Sequence, residues 1–171
     1  MTRITALNSE QAPEASRRHL EGLHKAFGVV PNVFATMAHS PAALGGYLAL
    51  SQALQKSTLT SREREAVALA VSQVNGCDYC LAAHVLFAGK AGLDASDITR
   101  AREGRLDAVV VLARQVVELR GRVTERDLHD AREAGLSDAK IVDVIALVAT
   151  TTFTNYLNNV ANTELDFPAV D

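Results

Sequence analysis

Helix stops and starts punctuate this chain at short intervals, and no stretch between them alternates apolar and polar residues with the period of two that a half-buried strand needs. Gly28, Ser40-Pro41, Asn75-Gly76, Gly104, Arg120-Gly121 and Gly135 separate segments whose apolar residues recur every three or four positions. Ala15, Leu20, Leu23 and Phe27 mark one such face, and Leu44 and Leu48 mark another after Pro41, a residue suited to a first helical turn. Thr60 with Glu63 forms a capping-box pattern opening a helix to about Val74, and Asp94, Thr124 and Ser137 stand where N-caps are needed. The run AVVVL at 108–112 has strand propensity, but its segment of about 14 residues and its ending in Arg120-Gly121 favour a buried helix. The expectation is an all-α chain of seven to nine helices, a single domain over 1–171 with its core at about 20–168. Residues 1–9 are expected to form a loosely held tail, and TELDFPAVD an extended one.

Aromatic residues make up 5% of the chain and Trp is absent, so Ala, Val and Leu must do most of the packing, which suits closely crossing helices. With 17 basic and 20 acidic residues well mixed, the chain offers no basic face for phosphate backbones and no polybasic anchor, and nucleic acid and membrane are not expected as partners. No apolar run approaches the roughly 20 residues of a membrane span, and the start has no apolar leader core; a cytoplasmic location is expected. The two cysteines form a Cys-x-x-Cys pair, which in a reducing compartment suggests redox or metal chemistry more than a permanent bridge.

That pair lies in EAVALAVSQVNGCDYCLAAH, residues 65–84. On a helix Cys77, Cys80 and His84 project from one face within two turns. An unperturbed thiol is about 3% ionised at pH 7, and a helix N-terminus beside a histidine is able to raise that fraction. Glu65 sits on the preceding helix among Ala68, Leu69 and Ser72, where a carboxylate needs a partner, and Asn75-Gly76 supplies the turn that folds the two helices together. A Glu-His-Cys relay would orient the imidazole and remove the thiol proton. From the residues alone three readings of the cysteine pair stay open: dithiol redox chemistry, a zinc site with Glu65 or solvent as fourth ligand, and buried structural thiols. A shift of 78 residues lays Cys77–Cys80 on Asn155–Asn158, a weak echo that would pair two similar helix hairpins. His19, His24, His39 and His129 are read as surface or packing residues, and the apolar stripes at 109–119 and 141–153 as core or subunit interface.

The pattern Glu-x9-Asn-x-Cys-x-x-Cys-x3-His, carried by Glu65, Asn75, Cys77, Cys80 and His84, resembles the signature of the alkylhydroperoxidase AhpD-like family, in the peroxidase-related branch of the carboxymuconolactone decarboxylase superfamily. GVVPN at 28–32, Ser40-Pro41 and NYLNNVANTELDFP resemble its flanking segments. The resemblance implies an all-α fold with the cysteine pair at the start of a central helix, assembly as homotrimers or homohexamers, and peroxidase activity without a bound cofactor or metal. It further implies that Cys80 attacks a hydroperoxide, that Cys77 resolves the product as a Cys77–Cys80 disulfide, and that His84, linked to Glu65 directly or through water, deprotonates Cys80. A protein or small dithiol would then reduce the disulfide, in the best-studied relatives a lipoylated carrier protein. Tyr79 stands where those relatives have a histidine, and it and Asn75 are supporting residues. The alternatives are a non-enzymatic redox sensor or oligomeric binding protein, and less favourably a decarboxylase or a zinc module.

Overall fold

The computed structural model describes residues 1–170. Among them are nine helices and no strand: α1 (Glu14–Phe27), α2 (Asn32–Met37), α3 (Pro41–Leu54), α4 (Ser61–Val74), α5 (Asp78–Lys90), α6 (Ala95–Arg102), α7 (Ala108–Glu118), α8 (Glu125–Glu133) and α9 (Asp138–Ala161). The caps explain most boundaries. Thr60 accepts the Glu63 N–H while the Glu63 carboxylate accepts the Thr60 N–H, a complete capping box. Ser40, Asp94, Asp107, Thr124 and Ser137 each accept a backbone N–H at the start of α3, α6, α7, α8 and α9. Asp107 also settles the AVVVL segment: once capped, it runs as a helix and buries Val109, Val110, Leu112, Ala113 and Val116.

Helix α4 is the axis of the fold and packs against α5, α6, α7 and α9. Its residues Ala66 to Ser72 are all buried, the mark of a helix enclosed on every side. Val67 and Val71 join α7 and α9 in one cluster, and Ala66, Leu69 and Ala70 join α5 and α6 in another. Each fully buried Val or Leu contributes roughly 1.5–3 kcal/mol. Gly76, at φ +59°, makes the left-handed turn between α4 and α5, where the Cys77 N–H reaches the Ser72 carbonyl at 3.0 Å.

Four sequence expectations change. The N-terminal segment is pinned, not loose: the Arg3 and Ile4 N–H groups both donate to the Ala161 carbonyl at the end of α9, and the Leu7 N–H donates to Ala35. The inner face of α1 is Ser16, Leu20 and Leu23, with Ala15 and Phe27 outside it, because the Ser16 hydroxyl donates to the buried Ala38 carbonyl. The C-terminal segment folds back onto α2, with the Asn32 N–H donating to Asp166 at 2.7 Å and the Asn32 side chain to the Glu164 carbonyl; its last residue, Asp171, lies outside the described residues. Finally, the 78-residue echo does not build a second hairpin, since α9 runs unbroken where α4 and α5 are divided by their turn.

Candidate functional site

The α4–turn–α5 hairpin brings Glu65 and His84 together. His84 Nδ1 donates to Glu65 Oε2 at 2.8 Å with no water between them, and about a quarter of each side chain is exposed. Burial alone would hold His84 neutral, but the hydrogen bond and charge of Glu65, with the nearby Cys80 charge, raise its pKa above the ordinary imidazole range. Nδ1 is committed to Glu65, which leaves Nε2 for the cavity that His84 lines.

Both cysteines are free, buried thiols. Cys77 is the N-cap of α5, and its sulfur accepts the Cys80 N–H at 3.4 Å. The two thiols are driven apart. A hydrogen bond from Cys77, opposed by burial and helped by the His84 charge and by Asn158 and Asn155, lowers the Cys80 pKa to about 6. Cys77, giving that hydrogen bond and buried beside the Cys80 charge, is pushed far upward. The pair is therefore a thiolate at Cys80 held by a thiol at Cys77.

Cys80 lines a cavity of about 100 Å³ that Cys77 does not reach. Six of the eight Phe and Tyr side chains line it: Phe27, Phe34, Tyr47, Tyr79, Phe87 and Phe167. In a chain this poor in aromatics, that concentration makes the wall around Cys80 largely apolar. Phe167 closes one side, edge-on to Tyr79 at 5.5 Å and to Phe87 at 5.9 Å between ring centroids. Tyr47 is half-buried; desolvation and the nearby Cys80 charge push its pKa up to about 12, and it stays a neutral phenol.

Of the supporting residues, Asn75 does not reach the sulfurs. Its side chain donates to Asn155 Oδ1 at 2.9 Å and its carbonyl accepts from Asn159 at 2.9 Å, tying the turn to α9. The Tyr79 hydroxyl accepts the Val33 N–H and lies beside the Asp166 carboxylate; burial and that carboxylate push its pKa upward, so it stays a neutral phenol.

Sequence reasoning missed the contribution of α9. Asn158 Nδ2 donates to Cys80 Sγ at 3.3 Å, and Asn155, fully buried, donates to Ser72 Oγ at 3.1 Å. The two asparagines that the 78-residue shift laid on the cysteines thus face them across the fold. A polar run, TTTFTNYLNN, inside a helix otherwise reading as buried was the available signal. Among the described residues no group of three or more His, Cys, Asp or Glu side chains is placed to share a metal ion. No described helix is long and apolar enough to cross a membrane.

Residues 41–112 match the carboxymuconolactone decarboxylase family. An uncharacterized peroxidase-related protein from Ralstonia eutropha JMP134, described as an alkylhydroperoxidase AhpD core, is 26% identical with a TM-score of 0.85, over 96% of this chain and 92% of that one. A second uncharacterized peroxidase-related protein, from Silicibacter sp. TM1040, is 24% identical with a TM-score of 0.78, over 95% of this chain and 92% of that one. The debrominase Bmp8 shares the fold at 18% identity and a TM-score of 0.78, over 97% of this chain and 93% of that one. Among curated proteins none matches.

Proposed function

Because the chain belongs to the AhpD-like carboxymuconolactone decarboxylase superfamily, we propose that it is a thiol-dependent hydroperoxide reductase working through Cys80 and Cys77. The observation that carries this reading is the asymmetry of the two thiols: the one with the lowered pKa is the one that lines the aromatic cavity. The Cys80 thiolate attacks the terminal oxygen of R–O–O–H. A sulfur–oxygen bond forms, the O–O bond breaks, and the departing alkoxide takes a proton from the His84 imidazolium that Glu65 holds. Sulfur is oxidised by two electrons to the sulfenic acid, and the peroxide is reduced to the alcohol. Cys77 then attacks the Cys80 sulfur, forming the disulfide and releasing water. A protein or small dithiol, such as a lipoylated carrier, restores both thiols. The exposed apolar row of Val142, Ile145, Phe153, Tyr156 and Val160 on α9 supports self-association, and sedimentation would read whether the assembly is the homotrimer or homohexamer that the family resemblance implies.

Peroxide consumption with excess dithiol tests the proposal. Many turnovers per chain, abolished in Cys80→Ser and stalled after one event in Cys77→Ser, are expected. One oxidation per chain without turnover would instead make the pair a redox switch, and turnover surviving in Cys80→Ser would refute the assignment.

The aromatic lining favours a second reading. A debrominase of this fold has been crystallised, as a cysteine-to-alanine variant, with 2,3,4-tribromopyrrole. A dithiol reducing a carbon–bromine bond to carbon–hydrogen, with release of bromide and a proton and closure of the disulfide, would use the same two cysteines. Bromide release from that compound by the reduced protein distinguishes the two activities.

A further inference from the structure

The polar groups on the cavity wall are nearly all committed elsewhere. Thr154 donates to the Thr151 carbonyl within α9 at 2.9 Å, the Tyr79 hydroxyl accepts from Val33, and His84 Nδ1 is held by Glu65. Asn158 differs. It is 3% exposed, its Nδ2 donates to Cys80 Sγ, and its equally buried Oδ1 has no partner. The orientation of the amide follows from the sulfur, because a thiolate accepts and cannot donate. A buried carbonyl oxygen left unpartnered is costly, and at a reactive sulfur it marks a position for a donor that arrives with the substrate.

We infer that Asn158 is a catalytic residue that recognises the hydroperoxide group itself, its Nδ2 holding the Cys80 sulfur while its Oδ1 accepts the O–H of R–O–O–H. The inference rests on the hydroperoxide reading proposed above. A primary amide presents donor and acceptor side by side, so one planar group sets the terminal peroxide oxygen against the sulfur and aims the O–O bond away from it. When the sulfur–oxygen bond forms and the O–O electron pair leaves with the alkoxide, the hydroxyl proton stays on the transferred oxygen. The Oδ1 contact therefore persists to the sulfenic acid and orients its hydroxyl, which leaves as water with the proton of the Cys77 thiol when Cys77 attacks. Electrophiles without a hydrogen-bond donor gain nothing from it.

The test compares two reactions of Cys80 in the fully reduced protein, in wild type and Asn158→Ala, at a pH above the measured thiolate titration of both. Oxidation by tert-butyl hydroperoxide is expected to slow by about tenfold, the effect of losing one hydrogen bond that positions the substrate. Alkylation by N-ethylmaleimide, which carries neither N–H nor O–H, is read by mass at Cys80 and is expected to stay within roughly twofold, since an electrophile without a donor makes no such contact. Asn158→Ser, which keeps a polar group in the buried position, replaces Ala if that variant does not fold. Parallel losses in both reactions, or no loss in either, overturn the inference while leaving the hydroperoxide reading intact. A wild-type protein that alkylates readily yet is inert to the peroxide overturns the hydroperoxide reading first, and this inference with it.

Discussion

The Tyr79 hydroxyl accepts the backbone N–H of Val33 at 3.2 Å, capping from across the fold a helix that has no cap of its own. Pro31 precedes α2 and offers no side-chain acceptor, so the orphan N–H groups of this short helix are met by Tyr79 and, at Asn32, by the Asp166 carboxylate. The residue that stands in place of the relatives' histidine thus ties together α5, α2 and the C-terminal segment, and with them three walls of the aromatic cavity.

Removing that hydroxyl should loosen the cavity without touching the chemistry. Tyr79→Phe keeps the ring against Phe167 but leaves the Val33 N–H without its partner, a loss of about 1–2 kcal/mol. Thermal unfolding should show a Tm lower by roughly 2–8 °C. The thiolate titration of Cys80 should keep its midpoint, because Cys77, His84 and the α9 asparagines that set it are unchanged. A large upward move of that midpoint would mean that Tyr79 acts on the sulfur directly.

Glu63 joins the capping box of α4 to Lys140 of α9, whose Nζ lies 2.5 Å from Glu63 Oε1. Burial pushes the carboxyl pKa up, but the hydrogen bonds from Lys140 and Thr60 outweigh it and the net shift is downward. A carboxyl whose pKa is lower in the folded state stabilises the fold fully above its unfolded value, near 4.3, and stops doing so as pH falls through the folded value. Glu63→Gln should therefore be less stable than wild type at pH 7, by about 1 kcal/mol for the weakened cap and lost ion pair. Denaturant titrations of the two proteins should converge in strong acid. A constant difference at every pH would show that the charge contributes nothing.

What was legible in the sequence was local. Thr60 and Glu63 announce their cap, Asn75-Gly76 its turn, and Glu65 and His84 their pairing, because a helical hairpin of known turn length leaves little freedom in which residues meet. Asn158 meets Cys80 across 78 residues, Phe27 and Phe34 reach the cavity from α1 and α2, and Phe167 comes from the far end of the chain. No spacing rule encodes these contacts, since they depend on how α9 crosses the hairpin and where the C-terminal segment returns. The N-terminal segment misled for the same reason: its polar composition reads as loose, yet its order comes from the carbonyl of Ala161 at the end of α9.

Glu65 sets the protonation of the site through His84, so its charge should appear in the pH dependence of Cys80. In wild type the thiolate forms as pH rises through about 6, and reaction with iodoacetamide or a hydroperoxide should climb across that midpoint and then level off. Glu65→Gln keeps the size of the side chain and a hydrogen-bonding oxygen but removes the charge that, with Cys80, holds His84 protonated against the effect of its burial. A neutral imidazole no longer stabilises the thiolate, and the midpoint should rise by about one pH unit or more. The variant should then react at least about fivefold more slowly at pH 6, where its thiolate is scarce, and approach the wild-type alkylation rate at pH 9, where both are ionised. Superimposable alkylation profiles would show that the 2.8 Å contact between Glu65 and His84 positions the ring without tuning the sulfur.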